Sequence, residues 1–201
     1  MITKNDLIFI TPSKEMNEVA DFLASKRQLF EYPRAWYWNY DKRGNHKIKI
    51  WILWELAFFD YIYSYLEAKT KDLEAKNRWK VLRENACFHY QIIIWNFDWW
   101  FEFKIWEKEI DIKTYETREV EVSDILWLEW KKPLNLFIDS KQNAKDSNIY
   151  VQSFIMKNWD VCLAWYNDWL PPLQTWMPQP AYTRAVPELT PISNILKLIN
   201  L

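Results

Sequence analysis

Near the start of the chain the apolar residues keep a helical period. Met16, Val19, Ala20 and Leu23 recur three and four apart, which predicts a short amphipathic helix over 12–26. Thr11 and Pro12 supply a cap and a first-turn proline. Residues 7–10 read as a short strand or extended lead-in, and Tyr32-Pro33 breaks the helix. Residues 34–47 mix aromatic and cationic side chains around Gly44 and read as an ordered loop or turn. Next comes the most apolar run, IWILWELAFFDYIYSYL at 50–66, whose apolar residues fall all round a helical wheel. A helix of this length spans about 25 Å, short of a bilayer core of about 30 Å. Glu55 and Asp60 would be costly in lipid, so a central buried helix is preferred to a membrane span. No breaker follows, and the helix is expected to continue through 67–85 on a narrower stripe of Leu66, Leu73, Trp79 and Leu82.

The period then changes to two. Phe97, Trp99, Phe101, Phe103 and Ile105 alternate with Asp98, Trp100, Glu102, Lys104 and Trp106, which places the two sets on opposite faces of a strand. A turn near Glu107-Lys108 leads to alternation at Ile110 and Ile112, then at Val120 and Val122. Leu126, Leu128 and Trp130 read as one more strand, and residues 134–138 as another, so the middle of the chain reads as an antiparallel meander with one polar face. A polar loop at 140–148 precedes a strand over 149–154. That strand gives way to an aromatic helix with Ile155, Trp159, Cys162, Tyr166 and Trp169 on one side. Six prolines between 170 and 191 oppose regular structure. Thr190-Pro191 then caps a short helix with Ile192, Ile195, Leu196 and Ile199 as its apolar face. The order predicts an α+β fold. A single domain over 1–170 has its long buried helix on the meander, with the aromatic row at 97–103 facing the helix, and 171–201 forms a Pro-rich arm with a terminal helix.

Composition adds an address. The chain of 201 residues has one Gly and fifteen Trp. Gly-rich phosphate loops, dinucleotide turns and glycine-built oxyanion nests are therefore implausible. Lys (19), Ile (20) and Asn (14) abound and Arg (7) is scarce, as in an AT-rich gene. Such a gene is rich in Trp where UGA is also read as Trp, as in many mitochondria. The first residues, MITKNDLIFITPSKE, show neither a signal-peptide nor a transit pattern, which suggests synthesis inside the organelle. Net charge is −1, with residues 26–49 at +5 and residues 98–130 at −6, a segregation that suits docking between unlike neighbours.

Candidate chemistry is sparse. Glu55 and Asp60 lie five apart, so they diverge around a helix and read as structural rather than as an acid–base pair. Cys87 and His89 share a face of an extended segment and could form an activated thiolate, with no orienting acid in sequence; packing is preferred. His46 has no companion that suggests a metal, and Cys87 and Cys162 have no metal-ligand or disulfide spacing. No cofactor is expected. The segment 32–43 carries Arg34, Trp36, Tyr37, Trp38, Lys42 and Arg43, residue types that neutralise phosphates and stack on bases or dock on protein. Trp176, Met177 and Tyr182 in the Pro-rich arm, with Ile192, Ile195, Leu196 and Ile199, form a second set. It either covers this chain's own core or inserts into a neighbour.

PELTPISNI (187–195) is similar to a short stretch in the 30-kDa hydrophilic subunit family of respiratory complex I, and NIYVQSF (148–154) resembles a strand in the family of protein ten of the small ribosomal subunit. Each match covers under ten residues and transfers no site. In style the chain resembles the Trp- and Lys-rich proteins encoded in ciliate mitochondrial genomes. That resemblance implies a component of the mitochondrial ribosome or of a respiratory complex. The expected function is a non-catalytic structural subunit, a peripheral mitochondrial ribosomal protein contacting neighbouring proteins, and rRNA through 32–49. The alternatives are an accessory respiratory subunit, with membrane contact through 50–66, and a small enzyme using Cys87 and His89.

Overall fold

The computed structural model describes residues 3–31, 43–84, 103–105, 108–131, 134–139, 149–176 and 181–198. It is a mixed α+β chain whose backbone gathers into two compact units, residues 10–99 and residues 1–9 with 100–201.

The first unit is helical. Helix α1 (Lys14–Glu31) begins two residues later than Thr11-Pro12 would place it, because Ser13 is the cap: its hydroxyl accepts the Met16 N–H at 3.1 Å. Met16, Val19, Ala20, Leu23 and Ala24 are buried, as their spacing predicts. Helix α2 (Arg43–Lys69) absorbs part of the expected loop at 34–47. Gly44 takes no left-handed φ and sits in the first turn, where a helix tolerates it. Helix α1 packs on α2, and Lys49 crosses to Asp21 at 2.9 Å. In α2, Ile50, Ile52, Leu53, Trp54, Leu56, Ala57, Phe58 and Ile62 are essentially inaccessible, which fits the all-round apolar wheel.

The helix does not continue through 67–85. Thr70 folds its hydroxyl onto the Leu66 carbonyl at 2.7 Å. Asp72 then accepts the Ala75 N–H at 2.7 Å and starts a separate helix, α3 (Leu73–Glu84), packed on α2. An Asp cap competes with helix continuation because its carboxylate satisfies a first-turn donor that an unbroken helix would bond to backbone. Leu73, expected in the apolar stripe, is 71% exposed, while Trp79 and Leu82 are half-buried.

The second unit holds two sheets. Strands β1 (Ile8–Ile10), β2 (Phe103–Ile105), β3 (Lys108–Val120), β5 (Ile149–Met156) and β6 (Val161–Asn167) lie in the order β1-β6-β5-β3-β2. Strand β9 (Thr190–Pro191) also pairs with β6. Strand β2 pairs antiparallel with β3, Ile105 opposite Lys108; residue 107 of the expected turn lies outside the described residues. The rest departs from a meander, because β3 runs parallel to β5. Parallel neighbours need a long crossover, and helix α4 (Val122–Lys131) supplies it where Val122, Leu126, Leu128 and Trp130 read as strand. Asp124 turns its carboxylate back onto the Glu121 N–H at 2.8 Å, half of a capping box, and Ile125 is buried on the helix face that Val122 and Leu126 flank.

The aromatic helix expected after 154 is a second strand. Residues 149–167 form the β5–β6 hairpin, with every strand residue buried. Burial on both faces erases period-two alternation, and a continuous apolar run then mimics helical spacing by chance. At the hairpin tip Trp159 has φ 68°, the left-handed position that glycine ordinarily fills. Its N–H donates to the Met156 carbonyl and the Met156 N–H donates to the Asp160 carbonyl, each at 2.8 Å. On one face Tyr150, Phe154, Met156, Cys162 and Trp165 pack with Leu7, Ile125, Val186 and Leu189, and Phe154 meets Trp165 edge to face at 5.8 Å.

The second sheet has the order β4-β8-β7 and is built from β4 (Leu134–Asp139), β7 (Leu173–Gln174) and β8 (Ala181–Ala185). The Pro-rich stretch thus contains short strands. It ends in a 3-10 turn (Ile192–Asn194) and helix α5 (Ile195–Leu198), close to the expected terminal helix. The aromatic row at 97, 99 and 101 lies outside the described residues.

Candidate interaction surface

The residues singled out from sequence fall into four groups. Arg34, Trp36, Tyr37, Trp38, Lys42, Cys87, His89, Met177 and Ile199 lie outside the described residues. Arg43 opens α2, and His46 is half-buried within it. Ile192 and Ile195 are fully buried and Leu196 is half-buried, so the apolar face of the terminal helix is covered by this chain itself. Trp176 is 71% exposed, and Tyr182 is half-buried against the core of the sheet unit.

At the end of β6 the fold assembles a polar and aromatic node that sequence spacing did not reveal. Strand β6 ends at Asn167, which is buried; its side-chain amide donates to the Trp169 carbonyl. Its side-chain oxygen accepts Arg184 Nη1 at 3.3 Å. Arg184, from β8, also donates through Nε to Glu188 Oε2 at 3.2 Å and lays its guanidinium on the Trp169 ring, 4.2 Å from the centroid. A planar guanidinium can serve carboxylate, amide and ring together, which lysine cannot. Trp169 is 50% exposed, with its backbone tied by Asn167 and its ring by Arg184. Trp176 is oriented by its own indole N–H, which donates to Gln174 Oε1 at 2.9 Å. Leu173, directly opposite Tyr182 in the β7–β8 pair, is 43% exposed. The result is a set of large apolar side chains presented to solvent in fixed orientations.

Among the described residues, burial and local hydrogen bonds set the shifted titratable groups. Burial pushes the Cys162 thiol well above its usual range, leaving it without thiolate at neutral pH. Burial pushes Tyr61 up to about 12, with Tyr65 adding to the shift, and raises Tyr63. Asp60 is raised by burial, an effect that the Arg83 charge opposes in part. Lys157 is raised by its hydrogen bond to Glu121 at 2.6 Å and by the field of Glu121, Asp124 and Glu119. Among the described residues no group of three His, Cys, Asp or Glu side chains could hold a metal, and no helix is long and apolar enough to cross a membrane. Compared with protein-family models, curated proteins and solved structures, the chain finds no match.

Proposed function

We propose that the protein is a non-catalytic structural subunit of a mitochondrial assembly, encoded in the organelle and peripheral in the mitochondrial ribosome. The observation that carries the reading is the pair of exposed indoles at Trp169 and Trp176, each held by a specific stack or hydrogen bond. Trp and Arg dominate binding energy at protein interfaces, and ordering them beforehand lowers the entropy lost on docking. In this reading the Pro-rich segment is the tether to a neighbouring subunit. The compartment rests on the Trp-, Lys- and Ile-rich composition, and the basic segment 26–49 is the part that would face RNA.

The respiratory alternative draws on the PELTPISNI segment, which here forms an ordered run of short elements with Ile192 in the core. Fractionating mitochondria separates the two. Co-sedimentation with ribosomes, and cross-links from Arg34, Lys42 and Arg43 to rRNA, support the ribosomal reading. Co-migration with a respiratory complex and contact of residues 50–66 with lipid or a membrane subunit support the alternative. A monomeric, unassociated chain would sink both. An accessible Cys87 thiolate of strongly lowered pKa would point instead to the Cys/His enzyme.

A further inference from the structure

In an antiparallel pair, residues alternate between those whose N–H and C=O face the partner strand and those whose N–H and C=O both face away. The Thr183 N–H donates to the Pro172 carbonyl at 3.2 Å, so residues 172 and 183 face each other through hydrogen bonds. Leu173, paired with Tyr182, is the next position and turns its N–H and C=O outward. Strand β7 is the outer member of the order β4-β8-β7, so among the described residues both groups point to an open edge. Leu173 and Tyr182 share one face with Arg184, two residues along β8, and so with the Trp169 ring stacked on it. Gln174 projects to the opposite face and holds Trp176. The open edge is therefore flanked by one exposed indole on each face.

We propose that this edge takes an extended, Lys- or Arg-bearing segment of a neighbouring protein as a fourth strand. One residue of that segment exchanges two backbone hydrogen bonds with Leu173, and its neighbours project alternately toward Trp169 and Trp176. Charge selects a basic occupant. Around the node the charged side chains are Asp168, Arg184 and Glu188; Glu188 is paired with Arg184, which leaves Asp168 as the acid outside that pair. Arg184 is already engaged by Glu188, Asn167 and Trp169, while Asp168 is exposed beside Trp169. A cation is also attracted to an exposed indole face such as that of Trp176, whereas the Trp169 ring already carries Arg184. The Asp168 carboxylate disfavours a nucleic-acid occupant.

This inference rests on the reading of the protein as an assembly subunit, and its test is independent of fractionation. The full chain, labelled with 15N at its tryptophan indoles, is titrated with a blocked (Lys-Val)5 peptide, a (Glu-Val)5 peptide and a ten-nucleotide oligouridylate. Trp169→Phe and Trp176→Phe assign the two resonances. The expected result is saturable shifts at both indoles with (Lys-Val)5 alone. Asp168→Lys should weaken binding at least about tenfold. Leu173→Pro, which removes the outward N–H, should do the same, while Leu173→Ala keeps the backbone donor and should stay within about threefold. No shift at either indole in the folded chain overturns the proposal, as do equal binding of the two peptides, an oligouridylate response at these indoles, and Leu173→Pro binding as well as Leu173→Ala. A chain that binds (Lys-Val)5 but sediments alone leaves the strand site standing and defeats the subunit reading.

Discussion

The β5–β6 hairpin and the α2–α3 hairpin are both built from aromatic-rich sequence and both turn within a few residues, yet they are stabilised differently. Every strand residue of β5 and β6 is buried, including Gln152, Ser153 and Asn167. Helix α3 has no buried residue at all. Strands inside a sheet have a neighbour on each edge and a layer on each face, so apolar area is their main source of stability. A helix docked on one neighbour gains little burial and depends on local devices. In α3 these are the Asp72 cap, the Arg83–Glu67 pair at 3.0 Å, and Tyr63 stacked between Phe59 and Trp79 at 6.1 Å from each. The difference teaches where this chain can change without unfolding.

The sharpest break in that contrast comes from the hairpin core. Trp165→Ala removes a buried ring and one half of the edge-to-face pair with Phe154, and should destabilise by about 3–5 kcal/mol in urea titration. Leu73→Ala, an equally apolar truncation on exposed α3, should change stability by less than about 0.5 kcal/mol. Similar losses at the two sites would mean that burial does not separate the hairpins. Asp72→Ala should cost about 1 kcal/mol, with amide exchange rising in α3 and not in β5 or β6. At the strand hairpin tip, Trp159→Gly should stabilise by up to about 1 kcal/mol, since the left-handed region costs a non-glycine residue about 1–2 kcal/mol and lost ring contacts offset part of that. A lower melting temperature for Trp159→Gly would show that the indole contributes more than the backbone strain removes.

The smallest effect is a pH dependence at Asp60. Burial raises its carboxyl above the usual 3.8, so the native state holds the proton more tightly than the unfolded chain. Its destabilising contribution is absent below the unfolded pKa, grows as pH rises through it, and is complete above the native pKa. Asp60→Asn should therefore raise the melting temperature slightly at neutral pH and lose that advantage in acid. An advantage that persists at low pH would assign the effect to something other than the charge.

Legibility followed the same division. The α1 face and the buried run in α2 were readable from local pattern, and so was the apolar face of the terminal helix, but that this chain itself buries Ile192 and Ile195 was not. Leu126, Leu128 and Trp130 imitate a strand because three residues cannot fix a period, and the Asp124–Glu121 bond that starts the helix uses no Ser or Thr cap. That misreading hid the crossover and, with it, the parallel pairing of β3 and β5. The Trp169 node was invisible for a different reason: Asn167 and Arg184 stand 17 residues apart, and only the chain's return through β8 brings them together.

By itself the sequence determined the mixed helix-and-strand character, the burial of the apolar run at 50–66, and the want of glycine-built ligand loops. Those follow from local period and residue type, which act within a few residues. Tertiary structure alone decided that 149–167 is a hairpin, that a parallel pair lies at the centre of the sheet, and that Arg184 locks Trp169 at the surface. Burial on both faces, crossover topology and charge-assisted contacts between distant residues depend on which segments meet, and no local window of the chain carries that information.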